Sequence, residues 1–294
     1  MANETTTTSA NDVYVTVLHQ AVLEERRPLA IPWRQFHTKA NPVGKGITAQ
    51  FAIQDDPGAA GQLVEATDAA NTQFTTSAQT ATATEQGMMA TVTDRLAAVS
   101  IVDAYDQFGS VLARSYQERI NDIFCGFYDD FSNTTGSTGL DLTVIQFVTA
   151  VAALAGRDVP GPYWGVLHPQ QILDLQAGSG NTPGGVLTSL SSMSPYFGND
   201  GFDAGGILKF QRDNAYNLFD VSIWSTSSVV TANAGADRAG GIFNKEAIGY
   251  HELWDMRTEM QRDASLRATE IVVTGCIGAV EVDDARGQSV ITDA

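Results

Sequence analysis

The stretch DAYDQFGSVLARSYQERINDIFCGFYDDF, residues 103–131, carries the longest regular pattern in the chain. Its large apolar side chains recur at intervals of three and four, at Tyr105, Phe108, Leu112, Tyr116, Ile120, Ile123, Phe127 and Phe131. This periodicity predicts one continuous amphipathic helix of about 40 Å, with Asp103 able to cap its start. The pattern is too regular for a loop and holds no heptad repeat long enough for a coiled coil.

The chain after this helix alternates between helical and strand patterns. Leu142–Leu154 predicts an apolar helix capped by Asp141 or Thr143. Residues 163–168 predict a buried strand, 170–176 a short helix, and 178–206 a long irregular stretch. Further strands are predicted at 207–210, 218–224 and 241–243. The last strands are predicted at 250–260 and 269–282, with a turn at 262–265, and a polar tail follows Asp283.

The chain before the long helix differs from the rest in composition. Residues 1–12 are small and polar, an amphipathic segment follows, and Pro28 and Pro32 predict an extended path through Trp33. Residues 37–94 are rich in Thr and Ala and contain no Lys or Arg after Lys45. Alternation at 47–53 and at 80–84 predicts strands there.

A ribbon of this kind buries too little apolar surface to stand alone, because an isolated hairpin is marginally stable in water. Residues 37–94 are therefore open to two interpretations. They form either a long surface loop of one domain, or a β-arm that reaches onto a neighbouring subunit.

Composition excludes several classes of function. The chain has 294 residues, 43% of them hydrophobic, and a formal net charge of −17. Such an acidic surface repels both DNA and anionic membranes. No signal peptide and no apolar run of about 20 residues is present, so synthesis and folding in the cytosol are expected. Cys125 and Cys276 lie in apolar runs and are expected to be buried, unpaired side chains.

The chain lacks the motifs that carry common chemistry. It contains no phosphate-binding glycine loop and no Gly-x-Ser-x-Gly nucleophile elbow. Its four histidines are not spaced as metal ligands, and His168, before Pro169, is expected to be a capping or core residue. Adjacent aspartate pairs are expected in solvated turns. We therefore predict no catalytic, cofactor-binding or metal-binding residue, and a protein whose work is assembly.

Three local stretches resemble a known family. They are VPGPYWGVLHPQQ (residues 159–171), GGIFNKEAIG (240–249) and QRDASLRATEIV (261–272). Each is similar to a stretch found in major capsid proteins of tailed bacteriophages. The order of the predicted elements also resembles the Hong Kong 97 fold of those proteins. The resemblance implies an α+β fold and a structural, non-enzymatic protein.

The resemblance also implies a division of the chain. Residues 1–36 would be the N-terminal arm, 37–94 the extended E-loop hairpin, and 95–139 a P-domain with the spine helix. Residues 140–248 would be the A-domain, and 249–294 the return strands of the P-domain with a C-terminal tail.

The resemblance further implies partners. Hexamers and pentamers of the chain would close an icosahedral shell around double-stranded DNA, without a specific nucleic-acid site, a cofactor or a membrane contact. A separate scaffolding protein is expected, because only about a dozen residues precede the arm, and a portal and a decoration protein are further candidates. The location would be the virion, after assembly in the host cytoplasm.

Charge suggests which residues meet between subunits. We hypothesise that acids of the ribbon, Glu65 and Asp68 among them, face arginines of an adjacent subunit. The complete set of candidate contact residues is Glu65, Asp68, Phe74, Arg257, Arg262, Asp263 and Arg267. Three other functions stay open at this point: an encapsulin-like cellular shell, an α/β enzyme, and a monomeric binding module.

Overall fold

A computed structural model describes most of the chain. The described residues are 30–40, 46–54, 58–63, 65, 68, 71–99, 104–177, 209–211, 215–218, 221–235 and 237–293. Three predictions lie outside them: the amphipathic segment after residue 12, the cap at Asp103, and the irregular stretch over 178–206.

The described elements give a mixed α+β chain, as predicted. The helices are α1 (Trp33–Phe36), α2 (Asp94–Val99), α3 (Ala104–Asp130), α4 (Val144–Gly156) and α5 (Pro169–Ala177). The strands are β1 (Thr38–Lys39), β2 (Thr48–Gln54), β3 (Thr76–Thr82), β4 (Thr84–Thr93), β5 (Thr134–Ser137), β6 (Tyr163–Leu167), β7 (Lys209–Gln211), β8 (Ala215–Leu218), β9 (Val221–Ser225), β10 (Val230–Ala232), β11 (Asp237–Asn244), β12 (Ile248–Asp263), β13 (Ala268–Glu281) and β14 (Gly287–Asp293).

The strands form three sheets. One has the order β1-β12-β13-β4, the second has the order β5-β14-β11-β6-β9-β8-β7 with β10 also paired to β11, and the third is the hairpin β2-β3. The chain divides into two compact units. The first comprises residues 85–119 and 256–275, and the second comprises the described parts of 29–84, 120–255 and 276–294.

The first unit has a small core of its own. Val92, Leu112, Ile271 and Val273 are buried together, and the half-buried ring of Tyr116 packs against them. Glycine makes this packing possible, because a Cβ at position 275 would collide with the Tyr116 hydroxyl. The first half of α3 therefore lies directly on the backbone of β13.

The second unit holds a larger core between its sheet and helices α4 and α5. The core residues are Leu142, Val144, Phe147, Ala150, Leu154, Val159, Leu167, Ile172, Leu175, Val221, Ile223, Ile242 and Val290. Helix α4 begins with a capping box, in which Thr143 Oγ1 accepts from Gln146 N (3.2 Å) and Gln146 Oε1 accepts from Thr143 N (2.9 Å). Of the two caps that the sequence left open, Thr143 is thus the one used.

The long helix is confirmed over Ala104–Asp130, but its buried face differs from the prediction in the second half. Phe124 and Tyr128 are fully buried, while Ile123 and Phe127 are only half-buried. The sheet decides this, because Gly241 leaves room for the Tyr128 ring: a Cβ there would lie 3.0 Å from Tyr128 Cβ. The spacing of apolar residues in the sequence fits two overlapping stripes along α3, one with Ile123 and Phe127 and the other with Phe124 and Tyr128, and does not distinguish them.

The chain end also differs from the prediction. The polar tail expected after Asp283 is instead a strand, β14, paired between β5 and β11. Two of its buried polar side chains are hydrogen-bonded: Gln288 Nε2 donates to Thr135 Oγ1 (2.8 Å), and Thr292 Oγ1 accepts from Gln171 Nε2 (2.8 Å). The polar composition of the chain after Asp283 therefore does not mean that its side chains are exposed to solvent.

Two smaller corrections concern local chain path. Trp33–Phe36 forms a helical turn, α1, where an extended path was predicted after Pro32. The single strand expected at 218–224 is two strands, β8 and β9, which pair antiparallel with Leu218 opposite Val221. In both places the composition suits strands and turns equally, and the packing of neighbouring residues decides. Among the described residues, no helix combines the length and apolarity that a membrane crossing requires.

A buried glutamine joins α5 to two strands and gives the first prediction. Gln171 Nε2 donates to Arg238 O (3.1 Å), Val290 O (3.2 Å) and Thr292 Oγ1, and its Oε1 accepts from His168 N (3.0 Å). Gln171→Leu leaves these buried groups unpaired, so we expect the free energy of unfolding to fall by about 2–3 kcal/mol. Urea denaturation of the unassembled protein measures it.

The matched control is Gln170→Leu, because Gln170 is the exposed neighbour on the same helix. Its side-chain hydrogen bond, from Nε2 to Asp174 Oδ1, is long (3.4 Å), so we expect this control to lower stability by less than about 1 kcal/mol. Equal midpoints for the two variants would mean that the buried amide does not stabilise β14.

Candidate assembly surfaces

Residues 30–40 form a strap that is held by aromatic rings. Trp33 stacks on Phe124 (centroids 5.2 Å apart), and Phe36 packs on Trp164 (4.9 Å). We call this set the aromatic anchor: Trp33, Phe36, His37, Phe124, Tyr128, Trp164, Trp224, Phe243 and Tyr250. Aromatic pairs in these geometries each add about 0.5–1.5 kcal/mol beyond area burial, so the strap is fixed firmly to its unit.

His37 lies at the centre of the aromatic anchor. Its ring stacks between Phe124 (4.7 Å) and Phe243 (5.2 Å), and its Nε2 lies 3.4 Å from the Tyr128 hydroxyl. Burial lowers the pKa of His37 to about 3, so the ring is neutral at pH 7. Because this folded pKa is below the unfolded value, the stability it confers is complete above about pH 6.5 and is lost as the pH falls toward 3.

Ion pairs cover the outer side of the strap. The Nη2 atom of Arg34 lies 2.6 Å from both Glu252 Oε1 and Asp255 Oδ1. Lys39 Nζ lies 2.9 Å from the other oxygen of Glu252, Oε2. The Arg34 guanidinium also lies 4.8 Å from the centre of the Trp33 ring. These contacts tie the strap to β12 at a partly exposed surface, where each pair contributes about 0–1 kcal/mol.

The hairpin β2-β3 is attached at its root. Thr48 pairs with Thr82, and Gln54 pairs with Thr76, so the strands are aligned along their full length. The strand expected at 47–53 is confirmed, whereas the one expected at 80–84 spans the end of β3 and the start of β4. His251 Nε2 lies 2.9 Å from Gly46 O, and the ring of Phe51 occupies the space that a side chain at Gly249 would need. The small side chains at the root, Ala49, Ala81 and Ala83, are buried.

Away from this root the hairpin is exposed. Phe74 is 61% exposed and Leu63 is 70% exposed, and the described acids of the connecting segment, Glu65 and Asp68, are exposed too. Six of the seven residues of β3 are exposed. The hairpin therefore gains little from its own chain beyond its root.

The predicted contact residues of the C-terminal half lie around the turn between β12 and β13. Asp263 Oδ1 accepts from Ser265 N (2.8 Å), Ser265 Oγ (2.6 Å) and Leu266 N (3.2 Å), which lowers the pKa of Asp263. Arg267 closes the turn with a left-handed φ of 51°. Asp263 thus has a structural task inside its own chain, in shaping this turn.

The arginines on β12 also have partners within the chain. Arg262 Nη2 donates to Asp94 Oδ2 (2.7 Å), a second bond joins the same two groups, and this pairing lowers the pKa of Asp94. Arg257 Nε lies 3.4 Å from both Thr274 Oγ1 and Glu259 Oε1. All of these side chains are about half exposed, so they remain reachable from solvent.

The seven candidate contact residues thus fall into two groups. Glu65, Asp68 and Phe74 belong to the hairpin, and Arg257, Arg262, Asp263 and Arg267 belong to β12 and its turn. The two groups lie in different compact units. Their meeting across a subunit boundary stays a prediction.

Sequence reasoning missed a group of carboxylates where α3 ends. Burial, a hydrogen bond with Asp284 and the charges of Asp284, Asp130 and Asp283 raise the pKa of Glu281 to about 7. Asp284 Oδ1 also accepts from Ser132 N (2.7 Å). The guanidinium of Arg286 partly neutralises these carboxylates: its Nε donates to Asp283 Oδ2 (2.8 Å), and the same group pairs with Glu246. The signals in the sequence were the adjacent pairs Asp129-Asp130 and Asp283-Asp284, which were expected in solvated turns.

The described residues contain no group of three or more His, Cys, Asp or Glu side chains that could hold a metal ion. Cys125 and Cys276 are both buried, as predicted, and neither belongs to a disulfide. His168 Nδ1 accepts from Gln170 N (3.2 Å) at the start of α5, so the capping role expected for it is confirmed.

Comparison with solved structures identifies the fold to which this arrangement of helices and sheets belongs. No family model matches the chain, and no curated protein matches it. Solved structures do match. The capsid of the cyanophage P-SCSP1u is 14% identical and matches over 92% of this chain and 90% of its own, with a TM-score of 0.64. The head of Helicobacter pylori bacteriophage KHP40 is 10% identical and matches over 92% of this chain and 93% of its own, with a TM-score of 0.68. A structure from Gordonia phage Cozz matches over 100% of this chain and 97% of its own, at 9% identity and TM-score 0.68.

The chain has the fold of tailed-phage capsid proteins, the Hong Kong 97-like fold. The fold class expected from the sequence is therefore confirmed. At these identities the likeness concerns the fold, and the function is argued separately below.

The pKa of Glu281 predicts how the stability of the protein depends on pH. The folded pKa of this carboxyl group is raised, so the stability it confers is complete below about pH 4.5 and is lost as the pH rises through about 7. Glu281→Gln removes this loss. We expect the variant to be more stable than the wild type by about 1 kcal/mol at pH 8, since solvent screens a half-exposed group, and to match it near pH 5.

Thermal or urea denaturation of the unassembled protein at both pH values measures the difference. Glu270→Gln, the same substitution on the same strand, is the control. A Glu281→Gln stability gain that is equal at pH 5 and pH 8 would contradict the electrostatic explanation.

Proposed function

We propose that this chain is the major capsid protein of a tailed phage, a structural subunit that assembles with copies of itself into an icosahedral shell. The observation that carries the proposal is the hairpin of β2 and β3. It is anchored at its root and exposed beyond it, in a chain that matches a phage capsid structure over 92% of its length.

The physical reason concerns the cost of ordering the hairpin. Each ordered residue costs about 1–2 kcal/mol of backbone entropy, and a two-stranded hairpin recovers little of this in water. Its residues are mostly Thr, Ala and Gln, with exposed apolar side chains such as Phe74 and Leu63. A surface of a neighbouring subunit that covers these side chains would supply the missing burial. This supports the β-arm interpretation over that of a loop on a single domain.

The charge of the chain is compatible with a container for DNA. A net charge of −17 gives an average surface that encloses a nucleic acid without binding it tightly. We extend the proposal to the partners expected from the resemblance: hexamers and pentamers of the chain, a separate scaffolding protein, a portal and a decoration protein. The location would be the virion, after assembly in the host cytoplasm.

We also propose the division of the chain that the resemblance implied. Residues 1–36 would be the arm, 37–94 the E-loop, 95–139 and 249–294 the P-domain, and 140–248 the A-domain. The new strand β14 qualifies this division, because it pairs with β11 of the A-domain segment. The return segment would then contribute its last strand to the A-domain sheet.

Electron microscopy of the purified chain, with light scattering after size-exclusion chromatography, tests the shell proposal. We expect closed shells, tubes or rings the size of hexamers, formed with or without added scaffold. A compact monomer that persists at high concentration with scaffold present would contradict the proposal and favour a binding module or an enzyme. Shells that enclose a protein cargo instead of DNA would favour the cellular encapsulin.

The contact between hairpin acids and arginines is tested by reversing charges. We propose that Glu65 and Asp68 of one subunit face Arg257, Arg262 and Arg267 of the next. Single exposed pairs contribute only about 0–1 kcal/mol, so repetition around the shell would produce the effect. We expect Glu65→Lys with Asp68→Lys to lower the yield of shells and to change its dependence on salt.

Combination with Arg257→Glu and Arg267→Glu is the matched test, since these substitutions restore opposite charges and leave the Arg262–Asp94 pair intact. We expect the fourfold variant to recover a large part of the yield. Unchanged assembly and salt sensitivity of the double lysine variant would overturn the contact.

A further inference from the structure

A slot runs along one edge of β2. Its volume is about 460 Å³, and five consecutive residues, Gln50–Gln54, form one side. Thr38, Glu246, Val282, Asp283 and Arg286 form the other side. Successive side chains of a strand point to opposite faces, so a wall made of consecutive residues is the edge of the strand rather than a face. We call this cavity the β2-edge slot.

The hydrogen-bond pattern of the hairpin determines which backbone groups face the slot. Ala83 N donates to Ile47 O (2.8 Å), and the register places Thr48 opposite Thr82. Hydrogen-bonded pairs alternate in an antiparallel ladder, so residues 47, 49, 51 and 53 bond to β3. The N–H and C=O groups of Gln50, Ala52 and Gln54 therefore point away from β3, toward the slot.

These outward groups are the template for another strand. In the part of the chain that the structure describes, β2 has one strand partner, β3. Three alternate residues offer three donors and three acceptors over a length of about 17 Å. A row of this kind is where extended peptides add to a sheet in many complexes.

The slot lining opposite β2 carries a net negative charge, because it has two acids, Glu246 and Asp283, and one cation, Arg286. Arg286 is shared between Glu246 and Asp283, which leaves an excess of negative charge on this wall. Three further acids, Glu281, Asp284 and Asp130, interact with one another beside Asp283 and add to the negative charge of this region. A lysine or arginine entering the slot would meet an attractive potential.

We propose that the β2-edge slot binds an extended, basic segment of a partner protein, which adds a third strand beside β2. Its backbone would bond to the outward groups of Gln50, Ala52 and Gln54, and a basic side chain would approach Glu246 and Asp283. A second copy of this chain fits the slot less well, because the chain carries 34 acidic and 17 basic residues. The slot lies within one chain, so the inference does not depend on shell formation.

A labelled peptide tests the proposal on the full-length protein. The probe is an end-blocked peptide of alternating lysine and valine, about seven residues long, and binding is followed by fluorescence anisotropy. We expect saturable binding that weakens as salt increases. Ala52→Pro removes one outward N–H at an unpaired strand edge, where proline is tolerated, and should weaken binding at least tenfold. Ala52→Val keeps the N–H and should bind as the wild type does.

Charge is tested separately from backbone pairing. Glu246→Gln should weaken binding of the lysine peptide several-fold, and a peptide of alternating threonine and valine should bind less tightly than the lysine peptide. Both β2 variants must retain the unfolding midpoint of the wild type, which shows that the hairpin is intact.

Three results would overturn the proposal: equal binding by Ala52→Pro and Ala52→Val, equal affinity for the neutral and the basic peptide, or no saturable binding. A change in the oligomeric state of Ala52→Pro without any peptide would also overturn it. That outcome would identify a second copy of the chain as the occupant. Each of these outcomes leaves the shell proposal to its own test by electron microscopy.

Discussion

The burial of two rings from the strap, Phe36 and His37, is the constraint on which the second unit depends. Both side chains are at most 1% exposed, and they contact Phe124 of α3 and Phe243 of β11. A histidine is suited to this position only while it is neutral, because a charged imidazolium between two phenyl rings would lose its hydration without gaining a counter-ion. The strap directly precedes the hairpin, so this anchor also fixes where the hairpin begins.

In both units, large aromatic side chains of α3 and of the residue that follows it pack against glycines of the neighbouring strands. Tyr116 lies against Gly275, Tyr128 lies against Gly241, and Phe131 lies against Gly287. Each ring occupies the space that a Cβ would take, so α3 approaches the strand backbone more closely than ordinary side chains permit. This explains how a helix with so many large rings packs on sheets without a gap, since large and small partners alternate.

The local pattern in the sequence was sufficient where one property decided the structure. Periodicity located α3 and β2, and the apolar run of residues 142–154 located α4. The sequence could not decide which of two overlapping aromatic stripes on α3 is buried, because Gly241 lies more than a hundred residues away in the chain. Strand β14 was missed for a similar reason: the partners that allow Thr292 and Gln288 to be buried, Gln171 and Thr135, are distant in the chain.

The candidate surfaces were predicted less completely than the fold, and the reason is again distance along the chain. Charge composition identified the hairpin as acidic and the arginines near the turn between β12 and β13 as its candidate partners, but it did not reveal that Arg262 already has a partner in Asp94, 168 residues earlier. An arginine that is shared in this way can exchange one carboxylate for another at little cost, since both states are solvated ion pairs. In the proposed shell, such contacts would suit subunits that meet, adjust and separate before the shell closes, whereas the aromatic anchor, whose rings pack on one another, would suit the parts that stay together.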